Sequence, residues 1–178
     1  MPRSRLRAST GAFGFVFFGG PTLVAGLVPW LLTRWHADEQ PLALRILGGA
    51  LLLAGAALVF ETTARFALQG RGTPAPWAPP ERFVARGSYR WTRNPMYVGV
   101  LALIVGQALL LGREVLFLWA AAAWLLFHLF VVFEEEPGLR RRFGGEYEDY
   151  TRRVGRWLPT TSPARPRRPR DRLGNRSR

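Results

Sequence analysis

The sequence predicts an all-α integral membrane protein of about four transmembrane helices, and three observations carry that reading. Its apolar residues are gathered in long uncharged runs. Two of these, Asn94–Gly112 and Val115–Phe133, are 19 residues each and are separated only by Arg113-Glu114. Charge is gathered as well: all 25 basic residues are Arg, and the net charge is +13. At 1.5 Å per residue such a run makes a helix of about 28 Å, close to the ~30 Å hydrocarbon thickness of a bilayer. Lipid forces each span to satisfy its own backbone, so both runs are expected to be helices. The short connection makes them an antiparallel hairpin.

The other elements follow in order. Met1–Gly11 is short and carries Arg3, Arg5 and Arg7. It lacks a small-residue cleavage site after a short apolar core, so it is not read as a removed signal peptide. Ala12–Leu32 has no charge over 21 residues and is long enough to span. Gly19, Gly20, Pro21 and Pro29 would stop a soluble helix but are tolerated in lipid. Trp30 and Trp35 sit where an interfacial aromatic belt is expected, and Thr33–Gln40 forms a polar turn with Arg34, Asp38 and Glu39. The second span runs from Pro41 to Phe60, with Arg45 snorkelling near its start. Its small residues, among them Gly48, Gly49, Ala54 and Gly55, suit close helix packing.

Glu61–Arg93 is a long connection with six Arg, in which Pro74, Pro76, Pro79 and Pro80 exclude a continuous helix. After the hairpin, Leu139, Phe143, Tyr147, Tyr150, Val154 and Trp157 recur at spacings of three and four. This stripe predicts an amphipathic helix lying in the interface over Pro137–Pro159, with a break at Gly144-Gly145. Thr160–Arg178, rich in Pro and Arg, is expected to be a disordered basic tail. Residues 1–159 then form one membrane domain, and its motif-bearing part is 72–159.

With four spans, the N-terminal segment, the long connection and the C-terminal region share a side. They hold 22 Arg against 3 in the other two turns. The positive-inside rule puts that side, and both termini, in the cytoplasm of a cell carrying the protein in its inner membrane. The apolar runs favour an anionic lipid surface over nucleic acid as the partner of the positive charge. The absence of Cys excludes disulfides and thiolate chemistry, and with only His36 and His128 no His-rich metal centre is expected.

The hairpin brings Arg93, Asn94 and Tyr97 level with Glu134, Glu135 and Glu136 at the cytoplasmic face, which makes this end the candidate active site. Asn94 is a capping residue, and Pro95 is favoured at the first helical position. Free N–H groups beside Arg93 would make a small anion site. Tyr97 offers a ring and a hydroxyl. Gly99, Ala102 and Gly106 leave room along one face for a ligand or another helix. Glu135 and Glu136 offer acceptors for hydroxyls or an ammonium group. A ligand with a carboxylate, an aromatic ring, a ribose and positive charge matches this set, and S-adenosyl-L-methionine is such a molecule. His128, an ionisable group inside a span, is a candidate for contact with substrate, as is Gly106. Bland readings compete: Arg93 as an anchor, Tyr97 as a belt residue, the glycines as packing, and the glutamates as a solvated helix end.

RNPMYVG at residues 93–99, followed by the hairpin and EEPGLRRRFGGEYEDYTRRVGRWLP at 135–159, resembles the isoprenylcysteine carboxyl methyltransferase family and the related phospholipid N-methyltransferases. These carry an R-[HN]-P-x-Y-x-G segment and a distal E-E-x-x-L-x-x-x-F-G-x-x-Y-x-x-Y signature. GTPAPWAPPERF upstream also resembles bacterial members. The resemblance implies S-adenosyl-L-methionine as cofactor, held by Arg93, Pro95, Tyr97, Gly99, Glu135 and Glu136. It also implies a lipid-like acceptor that enters from the bilayer and is methylated on a carboxyl oxygen or an amine nitrogen. Asn94 stands where many relatives have His, and Gly155 where many have Pro. Two other classes remain open: a membrane reductase using NADPH, and a non-catalytic membrane protein with a lipid-binding basic tail.

Overall fold

The computed structural model describes residues 19–65 and 87–159. The start of the first expected span, the four prolines of the long connection and the basic tail lie outside these residues. The elements are α1 (Gly20–Thr33), α2 (Leu42–Arg65), a 3-10 turn (Gly87–Arg90), α3 (Pro95–Leu111), α4 (Val115–Phe143) and a short α5 (Gly145–Thr151). Among the described residues there is no strand, only a single bridge between Thr92 and Gly155. The all-α membrane architecture expected from the sequence is the architecture observed. Large apolar side chains face outward along the spans: Leu53 is 76% exposed, Phe60 76% and Leu118 73%. A soluble protein would bury them, whereas lipid tails leave them solvated by hydrocarbon.

Helices α2 and α3 pack through two reciprocal glycine pairs. A Cβ on Gly55 would come within 2.7 Å of the Gly99 carbonyl oxygen, and one on Gly48 within 2.7 Å of that of Gly106. Seen from α3, a Cβ on Gly99 would lie 3.1 Å from the Gly55 carbonyl oxygen, and one on Gly106 would lie 2.9 Å from that of Gly48. Both pairs are seven residues apart, two helical turns, so one seam carries both. Gly49, by contrast, has nothing within 4 Å of a built Cβ. Gly55→Leu is therefore expected to lower the melting temperature of the detergent-purified protein, since overpacking costs about 1–3 kcal/mol. Gly49→Leu should leave it nearly unchanged. Equal effects of the two would disprove the seam.

Helix α1 is short of a backbone donor at Pro29, and its Leu23–Leu27 turn is widened to π geometry. Two carbonyls on that turn are met by side chains instead. Gln107 Nε2 of α3 donates to the Ala25 carbonyl (2.7 Å), and Trp119 Nε1 of α4 donates to that of Val24 (2.9 Å). These bonds tie α1 to the hairpin inside the apolar layer, where an unmet carbonyl is costly.

At the tip of the hairpin Gly112 closes α3 in the left-handed region (φ 67°). Arg113 Nη1 reaches Asp38 at 3.1 Å, and the Asp38 N–H donates to the Leu111 carbonyl, which ties this tip to the α1–α2 connection. At the opposite end α2 runs past Phe60, and Glu61 accepts from Ser88 Oγ (2.6 Å) and pairs with Arg65. The long connection is thus anchored where it returns. The expected break at Gly144 is present, with φ 49° and ψ −126°. The apolar stripe after it turns inward. Tyr147, Tyr150 and Val154 are buried with Leu139 and Phe143 around them, and Tyr150 donates to the Tyr89 carbonyl at 2.6 Å. Helix ends at Thr151, and the chain continues as a non-helical segment through Gly155–Leu158.

Candidate active site

The site is assembled by the first turn of α3, the last turns of α4 and the segment Gly155–Trp157. Pro95 stands at the start of α3, where its missing N–H costs nothing. Asn94 holds the cap position, but its side chain makes no capping bond. Its Nδ2 donates to the Arg156 carbonyl (3.1 Å), a part-buried acceptor that competes successfully for the amide. The expected cap is thus corrected to a tether. Thr92 Oγ1 binds the Arg156 and Trp157 carbonyls at 3.0 and 3.2 Å, and the Arg93 N–H binds the Gly155 carbonyl at 2.9 Å.

The uncharged part of α4 ends at Phe133, and the glutamates lie beyond it. A π turn over Val131–Glu135 immediately precedes Pro137, which has no N–H to continue the ladder. The three glutamates face different ways as a result. Glu134 is exposed. Glu135 accepts a hydrogen bond from the Tyr97 hydroxyl at 3.3 Å, its one hydrogen bond among the described residues. Burial pushes its carboxyl up to about 7; the Tyr97 bond opposes the rise and the Glu136 charge adds to it.

Glu136 is buried, and both its oxygens are filled. Oε1 accepts from Arg93 Nη1 (3.0 Å) and Arg156 Nε (2.6 Å), and Oε2 accepts from Arg156 Nη2 (3.1 Å) and Arg140 Nη2 (3.4 Å). A carboxylate offers about four lone-pair directions, and all are used. Burial alone would raise this carboxyl, but the Arg156 bonds and the charges of Arg93, Arg156 and Arg140 hold it below its ordinary value. Arg93 Nε is also buried and has no hydrogen-bond partner among the described residues.

On the apolar side the site ends in packed rings. Tyr97 stacks on Phe127 with centroids 4.6 Å apart, and His128 stacks on Trp124 at 5.3 Å. Trp157 lies among them, 6.4 Å from Tyr97, 6.3 Å from Trp124 and 6.1 Å from His128. Its indole N–H donates to His128 Nδ1 at 3.1 Å. Because an indole is a donor only, Nδ1 is the acceptor here, and a neutral ring carries its proton on Nε2.

The structure therefore gathers Arg93, Asn94, Pro95, Tyr97, Glu135 and Glu136 at one end of the hairpin, with His128 one layer deeper. Gly99 and Gly106 are elsewhere: their faces are spent on α2, where a side chain would strike the partner helix. Arg156 and Arg140 were not among the expected site residues. Nothing in a region so rich in Arg separates them from their neighbours by sequence alone.

A family model described as phospholipid methyltransferase matches residues 43–146, from the start of α2 into α5. An uncharacterized protein of Haemophilus influenzae is 33% identical over 63 residues, which is 35% of this chain and 100% of that protein. With more than half its length matched, and with its helices built for a bilayer, the chain belongs to the phospholipid methyltransferase family of membrane methyltransferases.

Proposed function

We propose that the protein methylates a lipid-like acceptor using S-adenosyl-L-methionine bound at the cytoplasmic end of the α3–α4 hairpin. One observation carries the reading: a buried donor without a partner among the described residues, Arg93 Nε, and a carboxylate with one hydrogen bond among them, Glu135, are brought to the same end of the hairpin as the Tyr97 ring. These residues fit the group. Arg93 would hold its carboxylate, Glu135 its ammonium or hydroxyl groups, and the Tyr97 ring its adenine or a neighbouring apolar surface. When bound, S-adenosyl-L-methionine supplies a methyl group already activated on a sulfonium. The residues of the chain contribute alignment and dryness: the ring cluster excludes water from the bilayer side, and the Glu136 ion cluster fixes Arg93. A carboxyl acceptor needs no base, whereas an ammonium acceptor must first lose a proton, so the reading covers O- and N-methylation alike.

The Arg distribution supports a cytoplasmic site and cytoplasmic termini. The exposed Arg141, Arg142, Arg152 and Arg153 would face anionic headgroups. A reporter active only on the outer side, fused after residue 178, should stay silent, and the same reporter inserted at Arg113-Glu114 should be active. The reverse pattern would invert the topology. The ligand is tested by calorimetric titration of the detergent-purified protein. S-adenosylhomocysteine should bind and NADPH should not. Binding of NADPH alone would point to a reductase, and binding of neither would leave a non-catalytic membrane protein.

A further inference from the structure

The ring cluster lies between the lipid face and Glu135. Its outer member, Trp124, is 42% exposed on the bilayer side, and its inner member, Tyr97, hydrogen-bonds Glu135. Centroid separations of 4.6–6.4 Å mean that the rings fill the path themselves. An acyl or isoprenoid chain arriving from the bilayer therefore needs one ring to move.

The restraints on the rings single out which one. Tyr97 is held by Glu135 and by stacking on Phe127, and Trp124 and His128 belong to the body of α4. Trp157 alone sits on non-helical backbone, next to Leu158, which is 81% exposed. Its backbone is pinned by Thr92, but its indole is held by a single hydrogen bond, to His128 Nδ1. The preceding residue, Arg156, points to Glu136 instead. Consecutive residues of one segment thus serve the two sides of the site.

We propose that Trp157 is a side-chain gate between the bilayer and the methyl-transfer site, latched by His128, and that it determines which apolar acceptors are admitted. This rests on the reading given above for the site. It places His128 as a positioning residue acting through Trp157, because Nδ1 is committed to the indole.

The chain contains no Cys, so one introduced cysteine reports access without background. Val131 is 1% exposed and shares the α4 face of His128 and Glu135, three residues after one and four before the other. Val131→Cys in the full chain, reconstituted in phosphatidylcholine vesicles, is treated with a membrane-partitioning maleimide, N-pyrenylmaleimide. Labelling should be roughly tenfold faster with Trp157→Ala or with His128→Leu, as loss of the one hydrogen bond that latches the indole implies. Leu118→Cys, on the exposed face, should be labelled at one rate in all backgrounds. S-adenosylhomocysteine affinity, measured by calorimetry, should stay within about twofold of the parent for both variants, since no ligand bond is removed. His128→Leu keeps the indole and guards against a Trp157→Ala variant that does not fold. Unchanged Val131→Cys labelling in both variants overturns the gate. Loss of S-adenosylhomocysteine binding in either variant would also overturn it, by placing that residue in the cofactor site. Absence of binding in the parent itself refutes the methyltransferase reading, a result separable from the labelling rates.

Discussion

Glu136→Gln is expected to destabilise the protein severely, by about 3–5 kcal/mol, because removing one partner strands a buried opposite charge. The carboxylate is 4% exposed and answers three arginines, of which Arg93 is itself only 14% exposed. Glutamine would keep one acceptor oxygen but turn an amide donor toward guanidinium donors. Losses of this size correspond to roughly 10 °C in melting temperature for a chain of this length. Any loss of ligand affinity should accompany the loss of fold, because Glu136 has no lone pair left for a ligand while Arg156 remains in place. Thermal unfolding in detergent, followed by near-ultraviolet circular dichroism, measures this. A Glu136→Gln protein as stable as the parent would show that the ion cluster is not what fixes Arg93 and Gly155–Trp157.

Glu135→Gln should behave in the opposite way, with affinity lost and the fold retained. Charge-assisted hydrogen bonds contribute about 1.5–3 kcal/mol, so S-adenosylhomocysteine affinity should fall roughly 10- to 100-fold. The pH dependence follows from the raised carboxyl. Below about 7 Glu135 holds its proton in the folded protein and cannot attract an ammonium; above it the carboxylate is free to do so. Affinity in the parent should therefore rise with pH through about 7, and Glu135→Gln should abolish that rise. Stability has the opposite sign. An unfolded carboxyl titrates near 4.5, so between there and about 7 the folded state alone retains the proton and loses stability as pH rises. Glu135→Gln should remove that loss and gain relative stability at pH 8. A flat affinity profile in the parent would detach Glu135 from the ligand.

The difference between the two glutamates was not legible in the sequence. Glu135 and Glu136 are adjacent and chemically identical, and a regular helix would separate them only by its ordinary turn. The π turn before Pro137 and an arginine 20 residues away decide which one is filled. The hairpin, by contrast, was legible, because run length and absence of charge suffice whatever the packing. Gly99 and Gly106 show where such reasoning stops. Apart from Tyr97 and Gln107, helix α3 is apolar all round, so no pattern separates a face toward lipid, toward ligand or toward α2. Only the Gly48 and Gly55 carbonyls across the seam settle their orientation. Asn94 stands at the helix start that its residue type predicts, but its side chain follows a carbonyl 62 residues away, which no local rule reaches.

The central claim, methyl transfer to a lipid-like acceptor, is tested most directly by following the methyl group itself. Membranes from cells producing the full chain are incubated with S-adenosyl-L-methionine labelled in its methyl group and then extracted with organic solvent. Label should appear in the extract in amounts well above membranes lacking the protein, and membranes carrying Glu135→Gln should give far less. Extracts carrying no more label than membranes without the protein, from a chain that is folded and present, would contradict the account.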